Sequence, residues 1–282
     1  MKLLINYADK NFVVAQKLNS ETGIEIAGFD RVISYSPQDI DAVFYSRNKK
    51  ILRQSRLAGY ALWKPYFILK SLDQLKDGDY LFYCDAGAAF VKPIEPLIKV
   101  CEESKQDIIV FESPIIISNV LLIEKHWTKR DAFILMNCDS PEYTDTLQRG
   151  TGYILFKKSP VSCNFANEWL QYAQDERLST DLKNQLGYPN YEGFIEHRHD
   201  QSICSLLTKK YKLKGYRDPS QVGNDFMDLY PESKYGQLIN STRARNTINW
   251  GAERKLVIDY IRGRKTIYWR TEIRRAVKTL SH

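Results

Sequence analysis

The chain opens on a short apolar run, Lys2-Leu3-Leu4-Ile5-Asn6-Tyr7, that gives way to polar residues and predicts a buried strand followed by a loop. Phe29 to Tyr35 reads as a second strand, closed by Ser36-Pro37. A stretch rich in Arg and Lys, Arg47 to Arg56, leads into a helix with Pro65 at its first helical position, where the missing N–H has no helical partner. Ile68, Leu72 and Leu75 follow at helical spacing, and Asp77-Gly78-Asp79 closes the segment with a turn. Tyr80 to Asp85 is apolar and aromatic at successive positions, the pattern of a parallel strand covered on both faces, and it stops at Ala86-Gly87. A helix over Ile94–Ser104 and a strand over Asp107–Phe111 continue the alternation. Beyond them the pattern predicts a strand at Gly150–Lys157, a helix at Ser162–Asp175 with Phe165, Trp169 and Tyr172 inward, and a helix at Asp200–Tyr211. Thr180 to Glu196, with Gly187, Pro189 and Gly193, reads as a long loop of the kind that forms substrate lids. The economical fold is α/β, a mostly parallel sheet flanked by helices.

Composition narrows the class. With 282 residues, 43% of them hydrophobic, the chain is long enough to bury a large core, and no repeat or linker marks a second domain. Five scattered cysteines without CxxC spacing argue for reduced thiols, against a zinc site or disulfide framework, and for a cytoplasmic setting. The N-terminal apolar run is too short for a signal peptide core or a spanning helix. The net charge of +7 is concentrated: residues 253–282 carry nine Lys/Arg against three acids, so the body before them is nearly neutral. A neutral body excludes a nucleic-acid footprint, which needs cations spread over a folded face. In the tail, Val257, Ile258, Ile261, Tyr268, Trp269 and Ile273 interleave with the cations. That pattern predicts a basic amphipathic helix that either lies on an anionic membrane surface or packs on the catalytic domain.

In open α/β sheets ligands bind beyond the carboxyl ends of the strands, which gives Asp85 priority among the acids. A carboxylate there, followed by small Ala86 and Gly87, leaves space for a diphosphate and offers a weak ligand to Mn2+ or Mg2+; the alternative is an Asp that caps the turn. A second constellation, Glu196-His197-Arg198-His199-Asp200, gathers two of the four histidines beside two acids before an apolar helix. Asp200 suits either a helix N-cap or a catalytic role, and His199 either a structural or a catalytic one.

The run Gly59 to Tyr66, a helix, then Gly78 to Gly87 resembles the donor-binding half of bacterial GT-A glycosyltransferases that assemble capsule and lipopolysaccharide glycans. Asp85-Ala86-Gly87 stands where those enzymes carry a DxD motif, with Gly87 in place of the second Asp, so a single carboxylate remains for metal. The resemblance implies a GT-A-type catalytic domain over residues 1–252, its donor half about 1–112 and its acceptor half about 113–252, followed by the tail. It implies that Asn6, Tyr7 and Ala8 flank the nucleobase and ribose, and that Arg56 and Lys64 approach the donor diphosphate. The bland reading of those two cations is a solvated helix face. It further implies that Asp200 faces the acceptor or the reacting sugar, and that Trp127, Arg130 and Asp131 form an acceptor-side surface. Arg149 and Gly150 open the run Arg149-Gly-Thr-Gly152 before a strand, where the glycines either let a ligand of the acceptor side approach the backbone closely or serve an ordinary strand-entry turn.

The expected activity is therefore sugar transfer from a nucleotide-diphosphosugar, UDP being the commonest nucleotide, to a hydroxyl of a glycan or lipid-linked acceptor on the cytoplasmic side of a membrane. Two alternatives stay open: a nucleotidyltransferase, which would bring a Gly-rich phosphate loop that Asn6 to Asn11 is not, and a nucleotide-sugar-binding protein without turnover.

Overall fold

A computed structural model describes residues 1–112, 115–117, 120–242 and 246. The basic tail, 253–282, lies outside the described residues. Strand β1 (Lys2–Tyr7) is followed by helix α1 (Val13–Glu25), strand β2 (Arg31–Tyr35), helices α2 (Ala42–Leu52), α3 (Leu57–Tyr60, a single turn) and α4 (Trp63–Leu72), and strand β3 (Tyr80–Cys84). Strand β4 (Ala88–Phe90), helix α5 (Glu95–Ser104), strand β5 (Ile108–Glu112) and the short hairpin β6 (Ile116–Ile117) and β7 (Val120–Leu121) come next. Three short helices, α6 (Glu124–Trp127), α7 (Arg130–Leu135) and α8 (Pro141–Thr144), lead to strand β8 (Arg149–Lys157) and helices α9 (Pro160–Ala173), α10 (Glu176–Ser179) and α11 (His199–Lys210). Strands β9 (Gly215–Arg217) and β10 (Ile239–Ser241) end the described elements.

The main sheet has the order β2-β1-β3-β8-β5-β9. Five strands are parallel and β8 alone runs antiparallel, between β3 and β5. This is the mostly parallel α/β sheet that the sequence pattern predicts, and it joins strands from both expected halves of the chain. Alternation along β1 and β3 divides the interior. Leu3, Ile5, Leu81 and Tyr83 pack with α4, α9 and α11 on one face, while Leu4, Phe82 and Cys84 pack with α5, β4 and β10 on the other. Burial of both faces explains why β3 reads as an uninterrupted apolar run.

Antiparallel β8 decides where the site falls. Because it runs against its neighbours, its first residues, Arg149 to Gly152, come level with the carboxyl end of β3, where Asp85 stands. Two local expectations shift by a few residues. Helix α4 begins at Trp63, so Pro65 is its third residue, still within the first turn where an N–H has no helical partner. Helix α11 begins at His199, with Arg198 at the N-cap position and no side-chain cap, so Asp200 lies inside the first turn and does not cap it.

Candidate functional site

Asp85 follows the last residue of β3 and is held from several sides. Its backbone N–H donates to Gly152 O at 2.8 Å, and the Tyr83 hydroxyl donates to its Oδ1 at 2.5 Å. Gly152 leaves the Asp85 carboxylate room, since a Cβ there would stand 3.3 Å from Asp85 Oδ2, a tight contact. Asn19 of α1, which no sequence pattern singles out, donates to Cys84 Sγ at 3.1 Å and Ala88 O at 2.9 Å and so pins both sides of the turn. Ala86 is buried, and Gly87 O accepts from the Thr242 hydroxyl at 3.0 Å. The Asp85 side chain remains half exposed.

The expected base and ribose residues serve the interior. Asn6 is buried and donates to Asn19 Oδ1 at 2.7 Å. Tyr7 stacks on Trp63 with centroids 3.8 Å apart, and burial raises its hydroxyl pKa, with the Asp9 carboxylate adding to the effect. Ala8 is buried too. None of the three lines the cleft, because strand alternation turns Asn6 and Tyr7 onto the two packed faces.

Lys64 is the centre of the site. It projects from the first turn of α4, almost fully buried, with its Nζ 2.9 Å from Asp200 Oδ2 and 3.5 Å from Asp85 Oδ1. It also donates to Thr151 O at 3.2 Å and Oγ1 at 3.3 Å, while the Thr151 hydroxyl donates to Asp200 Oδ2 at 3.0 Å. Burial works against the ammonium, but the Asp200 and Asp85 carboxylates outweigh it, so the Lys64 pKa is raised and the group stays charged. Lys64 is therefore not on a solvated helix face. Asp200 is equally enclosed, and its carboxylate is turned to Lys64 and Thr151 instead of to the backbone. Thr151 gives no signal in sequence, since one threonine at a strand start reads as an ordinary β residue.

A cleft of about 380 Å³ opens over this centre, walled by Arg56, Leu57, Glu196, Arg198 and His199. Arg56 Nε donates to His199 Nε2 at 2.8 Å, and its NH2 donates to Glu196 Oε2 at 3.3 Å; Asp181 lies 3.5 Å from Arg56 Nε. His199 is buried, which lowers its pKa, and the Arg56 cation lowers it further against the opposing pull of Asp181 and Asp200. Its Nε2 accepts from Arg56 and lies 3.6 Å from Asp181 Oδ1, which ties the ring into the wall of the cleft. The backbone before α4 is strained: Leu57, Ala58, Tyr60 and Ala61 have φ of 49, 50, 53 and 58° around Gly59 at 93°. Hydrogen bonds from Tyr60 N to Arg56 O and from Ala61 N to Leu57 O close a left-handed turn, at about 1–2 kcal/mol for each non-glycine residue. Strain of this kind persists where surrounding contacts over-determine it. Here the Trp63 indole donates to Leu57 O at 3.1 Å, and the Tyr60 hydroxyl donates to Asp181 at 3.2 Å.

The structure does not bring the expected acceptor surface to the cleft. Trp127 is buried, with its indole N–H on Leu121 O and the Arg198 guanidinium 4.6 Å over its ring, so neither face is open to a sugar. Asp131 is buried and accepts from Gln185 N at 2.6 Å, Arg130 N donates to Asn190 Oδ1 at 2.8 Å, and Lys129 Nζ donates to Thr180 O at 2.7 Å. These residues pin the 180–196 loop onto α7, so the segment expected to form a lid is fastened along its length. Burial lowers the Lys129 pKa to about 8, against the nearby Asp131 carboxylate. Arg149 pairs with Glu112 at 3.3 Å and donates to Thr208 at 2.8 Å, and Gly150 lies within the sheet opposite Phe111.

The same geometry bears on metal. Asp85 and Asp200 are bridged by the chain's own ammonium, and among the described residues no three His, Cys, Asp or Glu side chains gather as a ligand set. The donor set does not fit a divalent cation held by the protein alone. Among the described residues, no helix is long and apolar enough to cross a membrane.

No protein-family model matches the sequence, and no curated protein aligns with it significantly. Among solved structures, the chain is similar to the apo form of mouse xyloside xylosyltransferase 1, at 10% identity and a TM-score of 0.45 over 86% of this chain and 97% of that one. It is also similar to the apo structure of the bifunctional glycosyltransferase WbbM, at 11% identity and a TM-score of 0.43 over 72% of this chain and 36% of that one. Neither likeness is close enough to transfer an activity, a substrate or a residue role to this chain.

Proposed function

We propose that the chain is a GT-A-type glycosyltransferase that moves a sugar from a nucleotide-diphosphosugar to a hydroxyl of a glycan or glycolipid. The observation that carries this reading is the Lys64–Asp85–Asp200 centre at the carboxyl ends of parallel strands, under a cleft whose walls alternate cations and carboxylates. Interspersed charges of both signs suit a saccharide, whose hydroxyls donate to carboxylates and accept from Lys and Arg. Half-exposed Asp85 reaches the substrate, and buried Asp200 holds the Lys64 ammonium in place. A positioned carboxylate takes the proton of the acceptor hydroxyl, while Lys64 and the half-exposed Arg56 offset the charge of the departing diphosphate. Because Lys64 stands between the two carboxylates, dependence on Mn2+ or Mg2+ is weak in this reading.

The finer features belong to the same proposal. They are a UDP-linked donor, a lipid-linked acceptor of surface polysaccharide synthesis, and peripheral attachment of residues 253–282 to the anionic cytoplasmic face of a membrane. The test is hydrolysis and transfer with UDP-, GDP- and CMP-sugars, alongside thermal shifts with and without Mn2+. Turnover of one donor supports the enzyme; stabilisation by a nucleotide without turnover of any donor would convert the reading into a binding protein.

A further inference from the structure

Leu57 is the one apolar side chain, glycine aside, among the described residues lining the cleft, and it is 52% exposed there. Its backbone is also costly. At φ 49° it begins the left-handed turn, in a conformation that glycine or asparagine adopts with less strain. Its carbonyl is locked from two directions, by the Trp63 indole and by Ala61 N, so the side chain is held at the cleft wall in a fixed place. An exposed leucine on a strained, immobilised backbone contributes little to stability, so its value lies in what it touches.

Pyranose rings carry hydroxyls at their rim and C–H groups on their faces. Asp85, Glu196 and Arg56 supply partners for the rim, and among the described lining residues Leu57 supplies the one wholly aliphatic side chain for a face. We infer that Leu57 seats the C–H face of the sugar and sets which sugar the cleft accepts, an inference that rests on the glycosyl-transfer reading. A hydroxyl projecting from that face would lose water against the leucine without finding a partner, so epimers differing there are discriminated.

The test uses the full chain and its Leu57→Ala and Leu57→Gly variants. Hydrolysis is measured with UDP-glucose, UDP-galactose and GDP-mannose, and free UDP and GDP serve as sugarless references in calorimetric titrations. The expected result is a rise of about tenfold in KM for the preferred nucleotide-sugar and a narrowed ratio between the epimeric donors, with binding of the free nucleotide unchanged. Leu57→Gly is expected to melt at or above the wild-type temperature while showing the same loss, because relief of the backbone and loss of the contact act on different quantities. Wild-type KM and epimer ratio in both variants overturn the role of Leu57 and leave the glycosyltransferase standing, as does an equal loss of free-nucleotide binding. A wild-type chain that turns over none of the UDP-, GDP- and CMP-sugars overturns both.

Discussion

Replacing Lys64 by Met removes the ammonium from the centre of the cleft and keeps most of the side chain's bulk. Asp200, whose side chain is 6% exposed, is then left with the Thr151 hydroxyl as its remaining partner, while half-exposed Asp85 recovers water. Breaking a buried ion pair from one side costs about 3–5 kcal/mol, because the surviving charge stays desolvated. For a chain of this size each kcal/mol moves Tm by about 2–4 °C, so the expected fall is roughly 6–20 °C. The Lys64→Met/Asp200→Asn double variant removes both charges and is expected to recover more than half of that fall, since no ion is stranded. It is not expected to recover activity, as the cleft then lacks the Lys64 ammonium that faces the departing diphosphate. Thermal melts of the wild type, both single variants and the double variant at pH 7, with donor hydrolysis on each, give the complete cycle. A Lys64→Met variant that melts within about 1 °C of wild type, or a double variant no more stable than Lys64→Met, refutes the stabilising role of the buried ion pair.

Asp85→Asn is expected to reduce sugar transfer at least about tenfold with little change in Tm, because that carboxylate is half exposed; full activity in a donor-hydrolysis assay removes Asp85 from the site. Acid should destabilise the fold through its buried histidines. His197 donates from Nε2 to Leu178 O at 2.6 Å and accepts Lys129 N–H on Nδ1, and burial holds its pKa well below 6.5, with the Lys129 charge adding to the effect. The unfolded chain takes up that proton near 6.5 and the folded chain does not, so this contribution is present above pH 6.5 and lost below it at about 1.4 kcal/mol per pH unit. Melting curves between pH 7 and 5 should fall less steeply for His197→Gln than for wild type. Asp131→Ala releases Gln185 N and Leu186 N, and trypsin is expected to cut after exposed Lys183 several times faster than in wild type; an unchanged cleavage rate means that Asp131 does not hold the loop.

Strands buried on both faces announce themselves, so β1 and β3 are legible as unbroken apolar runs, and the point where β3 stops marks Asp85 from residue order alone. Helix α1 is not legible in this way, because it buries Asn19, Thr22 and Gly23 among its few apolar residues and so presents no apolar stripe to read. A strand end is thus enough to single out Asp85, and the cluster of acids and histidines before an apolar helix singles out Asp200, whereas Lys64 enters only through the glycosyltransferase resemblance; nothing in the residue order says that the three meet. Their pairing depends on α4 and α11 packing against the same face of the sheet, and on an antiparallel β8 that brings Thr151 and Gly152 to the right end. Local rules go astray where tertiary contacts offer a side chain a better partner. Asp200 turns from capping its helix to an ion pair, Arg130 and Asp131 turn from an expected sugar surface to holding a loop, and Trp127 is buried beneath Arg198. Patterning along the chain reports burial and period, which are local averages. Which charge meets which is set by packing between distant segments, and so only the tertiary structure decided it.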